Sequence, residues 1–322
     1  MIKMANQFIK PIFKRCLKIV VFLLVLFMIM QTIERSYFEF EQASLSLGAL
    51  SIGPILLSAV LYCLGLSCFA YMWHRILCIL KQNPTHKDSL GSYFLSQLGK
   101  YVPGKALVVL IRSERVQSTR TALSPAIIGV FIETLAMMAV GAVLGGLMII
   151  CFGDETSDKK LFWISGLLAV VAGVPSTPPV FRAVIGFLSR KRLGDSWSEY
   201  VANVCLATMF PCWCIAIIGW LFLGGSMVAC LHAIPTDVFI TPYSKGDYPI
   251  VTASVALAMV AGFVSLIPGG AGVREYIILT LLAGPYGVVA ATVVAVLLRL
   301  IWLVSELALA SVFYILMKRQ SL

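Results

Sequence analysis

The chain has 322 residues, 60% of them hydrophobic and only 12% charged, with a formal net charge of +10. A mean hydropathy of +0.94 lies far outside the range of soluble domains, which need a charged surface even around a large core. The basic excess does not point to nucleic acid. Lys10, Lys14, Arg15 and Lys18, like Arg190, Lys191 and Arg192, sit in short segments between apolar runs, the pattern of cytoplasmic loops under the positive-inside bias.

Apolar runs long enough to cross about 30 Å of hydrocarbon read as helices. The first, about 17–35, follows a basic segment, and no small-residue cleavage site follows it, so it reads as an uncleaved span. Glu34, Glu39 and Glu41 then suit the outside. Helix two, about 51–73, returns inward to His74, Arg75, Lys81 and Lys87. A stretch at about 89–116 is interrupted by Pro103-Gly104 and is basic at both ends. Helix three, about 122–151, leads outward to a polar loop at 153–160, and helix four, about 161–177, comes back to Pro175 and Pro178-Pro179. Phe181, Val184, Ile185 and Leu188 share one face of an interfacial cytoplasmic helix. Helix five, about 199–224, heads out to a loop at 235–248. An apolar stretch at about 249–283 is interrupted by Pro268-Gly269-Gly270-Ala271-Gly272, and a last span at about 286–316 ends in Lys318 and Arg319.

Both interrupted stretches must return to the side they came from, or the basic ends fall on conflicting sides. The reading is therefore an all-α polytopic membrane protein with six transmembrane helices plus two Pro-Gly-broken re-entrant hairpins. It forms a single integral membrane domain over 1–322, with both termini cytoplasmic in the cell (inner) membrane. The two breaks occupy matching places, so residues 1–151 and 161–322 read as inverted repeats. Broken segments in corresponding positions point to a transporter's binding site.

Nine cysteines, mostly inside apolar segments, behave as small hydrophobes rather than a disulfide framework. Cys212-Trp213-Cys214 has no histidine nearby, and His74, His86 and His232 form no cluster, so neither metal nor cofactor is expected. No G-x-x-x-x-G-K-[ST] loop is present, so energy for uphill transport has to come from ions or a partner, with Glu133 and Glu306 as candidate proton carriers.

Broken backbone inside a bilayer persists only where protein or water satisfies it. A helix restarting after Pro-Gly-Gly offers free N–H groups and a positive dipole end, which suits a phosphate. Pro268, Gly269, Gly270 and Gly272 let a headgroup approach, Arg274 adds a bidentate contact, and Glu275 can hold Arg274 in place. In the first hairpin Pro103 and Gly104 make the break, Lys100 and Lys105 flank it, and Arg112 lies farther along. Glu133, Arg299 and Glu306 interrupt long apolar runs and form an inward-facing charge network, either a salt bridge between the halves or part of substrate or proton movement.

The segments QLGKYVPGKALVVLIRSE (97–114), FIETLAM (131–137) and IPGGAGVREYIIL (267–279), with the charged span LLRLIWLVSELALA, resemble the lysylphosphatidylglycerol synthase transmembrane-region (flippase-like) family. The resemblance covers nearly the whole chain and implies movement of a modified phospholipid between leaflets. The sequence ends at Leu322 without residues for the cytosolic aminoacyl-transferase domain of two-domain members, so lysyl transfer is not expected of it.

Three functions follow. A flippase, with no catalytic residues, moves an anionic-headgroup or modified (glyco)lipid, with a lipid-modifying enzyme as a possible partner. A membrane-embedded polyprenyl-phosphate-dependent glycosyltransferase uses acidic residues such as Glu34, Glu39 and Glu41. A non-transporting scaffold docks a lipid-modifying enzyme on its basic segments.

Overall fold

The computed structural model describes residues 47–101, 106–118, 120–152, 200–265, 267, 270 and 272–318, with a few positions at 30, 34, 166–167, 170, 177–180 and 182–183. Nearly all of the first and fourth expected spans, the interfacial helix, Glu39, Glu41, and the break residues Pro103, Gly104, Lys105, Pro268 and Gly269 lie outside the described residues.

Eight helices run through the described residues: α1 (Ile52–Ile79), α2 (His86–Gln97), α3 (Ala106–Val116), α4 (Leu123–Phe152), α5 (Leu206–Leu231), α6 (Tyr248–Val264), α7 (Val273–Tyr286) and α8 (Val288–Lys318). No strand is present among them. Five segments are long and apolar enough to cross a membrane: Ile52–Ile79, Leu123–Phe152, Leu206–Leu231, Lys245–Val264 and Val288–Met317. At about 1.5 Å per residue, each reaches across about 30 Å of hydrocarbon.

Local chemistry sets the helix ends. α1 runs past the expected stop at 73, because His74 and Arg75 stay helical: His74 Nδ1 bonds Ser89 Oγ at 2.8 Å, and Arg75 points outward. The helix ends at Ile79, just before Lys81, whose φ of 60° is left-handed. Thr85 caps α2 by accepting from the Asp88 amide at 3.1 Å. α5 begins at Leu206 rather than 199, because residues 202–205 leave the helix and the Cys205 amide donates to Thr208 Oγ1 at 3.1 Å. The tight turn after α1 also brings His74 against His86, with ring centroids 4.0 Å apart and the rings tilted by 34°, although the sequence places these histidines in separate segments. No group of three metal-ligating side chains results among the described residues.

Small residues let the long helices approach closely, as they must where lipid gives no hydrophobic drive for association. A Cβ on Gly65 of α1 would lie 2.9 Å from the Gly219 carbonyl oxygen of α5. Farther along the same crossing, Ser58 bonds Ser226 at 3.0 Å. Residue numbers rise in α1 as they fall in α5, so the two helices are antiparallel. The same holds for α2 on α8, where Gly91 faces Met317 and Phe94 packs on Phe313. It holds again for α6 on α4, where Gly145 faces Leu257 and Ile149 meets Ala253.

Both interrupted stretches fold back on themselves. Gly99 lies against the Val108 backbone and Arg112 Nε donates to Ser96 Oγ at 3.0 Å, closing α2 onto α3. Gly262 lies against Gly270, closing α6 onto α7. Helix contacts pair off across the chain: α2 with α8 and α6 with α4, α1 with α8 and α5 with α4, α3 with α4 and α7 with α8. Apolar side chains such as Leu56, Leu57 and Val60 of α1 remain exposed, as befits a lipid-facing surface.

Candidate functional site

Three charged centres lie inside the helix assembly. In the first, Arg112 of α3 meets Glu133 of α4 at 2.7 Å. Tyr93 Oη donates to Glu133 Oε1 at 3.3 Å and Thr134 Oγ1 to Oε2 at 3.2 Å. The guanidinium carbon lies 4.1 Å from the Tyr93 ring centroid and 5.4 Å from that of Trp73. Both charges are enclosed, with 3% and 1% of their surfaces exposed.

The second centre joins α7 to α8, where Arg299 meets Glu275 at 2.8 Å. Glu275 also accepts the Gly272 amide at 2.7 Å, so its carboxylate caps the start of α7. Glu275 therefore serves Arg299 and the helix terminus, not Arg274. This pair mirrors the first with the charges exchanged, since the long helix carries the acid in one and the base in the other. It is also more open, at 18% and 15% side-chain exposure.

The third centre links the first broken hairpin to α8. Glu306 accepts from the Lys100 ammonium, from the Tyr62 hydroxyl and from the Tyr101 hydroxyl (3.1 Å). Arg299 and Glu306, two turns apart on one helix face, thus find separate partners. Between them, Trp302 stacks on Tyr62 with ring centroids 4.5 Å apart and donates through Nε1 to Ser226 at 3.1 Å.

The second and third centres open on one pocket with about 540 Å³ of non-atom space, part of it open to the outside. Lys100 and Tyr101 line it from the first hairpin, Arg274, Glu275 and Ile278 from α7, Val255, Ala258 and Met259 from α6, and Leu298, Arg299 and Trp302 from α8. Arg112 and Glu133 do not line it.

Arg274 reaches this space through a glycine gap. A Cβ on Gly262 would lie 2.8 Å from Arg274 Cγ, and one on Gly270 would lie 2.8 Å from its Nε. Gly270 and Gly272 also have φ values of +68° and +84°, which side-chain-bearing residues adopt at a penalty. Arg274 Nε is buried without a hydrogen-bond partner among the described residues. Among the described lining residues, Lys100 and Arg299 each hold a carboxylate and Arg274 does not, which leaves one cation in excess there. An uncompensated charge in a low-dielectric site favours a bound anion.

The structure thus brings Lys100, Gly270, Gly272, Arg274, Glu275 and Arg299 into one neighbourhood, with Glu306 behind Lys100, and sets Arg112 and Glu133 apart. The aromatic members Tyr62, Tyr101 and Trp302 were missed from sequence. Tyr101 beside Lys100 at a break was the available signal, whereas Tyr62 lies in an apolar helix with nothing to mark it.

This is a multi-pass membrane protein. No curated protein matches the chain significantly, whereas the family described as the lysylphosphatidylglycerol synthase TM region matches residues 15–310. That match takes in both broken hairpins and all three charged centres, and the chain belongs to this family.

Proposed function

We propose that the protein is a lipid flippase whose pocket holds an anionic, phosphate-bearing headgroup while the acyl chains stay in the bilayer. The observation that carries this reading is Arg274, a cation with its Nε buried and unpartnered in a pocket whose other cations hold carboxylates. Helix α7 begins one residue earlier, at Val273, so its positive dipole end adds to the same attraction.

In this reading the pocket lies where two re-entrant hairpins of an inverted repeat meet. The antiparallel α1/α5 crossing and the exchanged pairings of α2 with α8 and α6 with α4 support opposite senses for the halves 1–151 and 161–322. Six spans and two hairpins then leave both termini on the cytoplasmic side of the cell membrane, with the whole chain as one membrane domain. Pro103, Gly104, Lys105, Pro268 and Gly269 lie outside the described residues and enter this reading from the sequence alone, and Arg112 with Glu133 steadies the first hairpin against α4.

The test is reconstitution in liposomes carrying fluorescent lipids that are neutral, anionic, aminoacylated or polyprenyl-linked, read by a membrane-impermeant quencher. Movement of an anionic class, lost in Arg274→Ala while the variant stays folded, is the expected result. Unchanged movement in Arg274→Ala would remove Arg274 from the site, and no movement of any lipid by the folded wild type would overturn the flippase.

A further inference from the structure

Glu306 sits in the middle of α8 with 1% of its surface exposed, behind the pocket wall. Its one cationic partner among the described residues, Lys100, is itself a lining residue of the pocket. The ammonium therefore stands between a buried carboxylate and the space assigned to the headgroup. Lys100 is carried by the 3-10 turn Leu98–Tyr101, directly before the first break. Such short turns have poorer hydrogen-bond geometry than α-helix and are readily reshaped.

The titratable and charged groups around Glu306 come from each element near it. Helix α1 contributes Tyr62 and Cys63, the 3-10 turn Lys100 and Tyr101, α7 Arg274, and α8 itself Arg299. Helix α2 presents Gly91 and Phe94 to α8. Helix α5 presents Ser226 and Cys230, which bond Trp302 and the Val294 carbonyl. Apart from Lys100, then, the hydrogen bonds to Glu306 among the described residues come from tyrosine hydroxyls, which can serve a neutral carboxyl as well as an ionised one.

We propose that headgroup binding is coupled to protonation of Glu306: an anionic headgroup draws Lys100 away, and the deserted carboxylate takes up one proton. This rests on the reading of the pocket as a headgroup site. A buried carboxylate stripped of its counter-ion is far less stable than its neutral acid, so the proton follows the loss of Lys100. One negative charge and one proton enter together, and the net charge of the site is unchanged. The coupling is reciprocal. Protonating Glu306 first releases Lys100 and tightens headgroup binding, so affinity rises as pH falls. A proton gradient then acts directly on lipid binding, without nucleotide.

The test is calorimetric titration of the full chain in nanodiscs with dihexanoyl phosphatidylglycerol, whose phosphodiester stays singly charged throughout, near neutral pH in buffers of different ionisation heat. The wild type is expected to take up about one proton per lipid and to gain up to about tenfold in affinity per pH unit lost. Glu306→Gln, which keeps the shape and both tyrosine bonds, binds without proton uptake and with a flat pH profile. Lys100→Met also shows no uptake, because Glu306 is already neutral there. Lipid binding by the wild type with no uptake, or uptake persisting in Glu306→Gln, would overturn the coupling and leave the headgroup site standing. Absence of wild-type binding would overturn the headgroup site itself. Equal affinity for the deacylated glycerophosphoglycerol would overturn the lipid as ligand.

Discussion

Truncating Glu133 to alanine strands a guanidinium among aromatic rings. Four interactions hold Arg112: the 2.7 Å ion pair, the 3.0 Å bond from Nε to Ser96, and the Tyr93 and Trp73 rings 4.1 Å and 5.4 Å from its central carbon. Glu133→Ala removes the first and leaves the others. The lost charge-assisted bond alone is worth about 1.5–3 kcal/mol. The enclosed charge left behind, 3% exposed, raises the expected destabilisation to about 3–5 kcal/mol. Replacing both partners, Arg112→Met with Glu133→Leu, removes charge and counter-charge together and is expected to destabilise less than Glu133→Ala alone, by about 0–2 kcal/mol. Unfolding of the wild type, of Arg112→Met and Glu133→Leu singly, and of the double variant in bicelles closes a double-mutant cycle, with an expected coupling of at least about 2 kcal/mol. Additive losses would refute the reasoning, since they would mean that neither charge depends on the other. The double variant also decides whether Arg112 serves the headgroup, because transport retained in it takes Arg112 out of the site.

Gly270→Ala places a methyl 2.8 Å from Arg274 Nε at a φ of +68°. It is expected to destabilise by about 1–3 kcal/mol and to abolish lipid movement by displacing Arg274, read in the quencher assay on folded protein; full transport would show that the glycine gap is not needed. Cysteines introduced at 153–160 and at 236–247 are both expected to react with an impermeant reagent from outside. A cytoplasmic result at either loop would sink the opposed halves.

Composition alone determined that the chain lives in a membrane, because a 12% charged sequence has too few residues for a wetted surface. The second, third, fifth and last expected spans were legible from apolar length, and the two interruptions between described helices from Pro103-Gly104 and Pro268-Gly269-Gly270. Glu133, Arg299 and Glu306 stood out because ionisable groups in apolar runs need a reason to be there. Their partners were not legible. Arg299 and Glu306 lie seven residues apart on one face, and periodicity suggests that they belong together, yet one takes Glu275 and the other Lys100. An ion pair joins groups close in space, and Lys100 and Glu306 are 206 residues apart in sequence. Glycines such as Gly65, Gly91 and Gly262 carry no chemistry that a sequence pattern reports, but they set how near the helices come. Only that closeness decided which cations are neutralised, and left Arg274 facing the pocket without a carboxylate among the described residues.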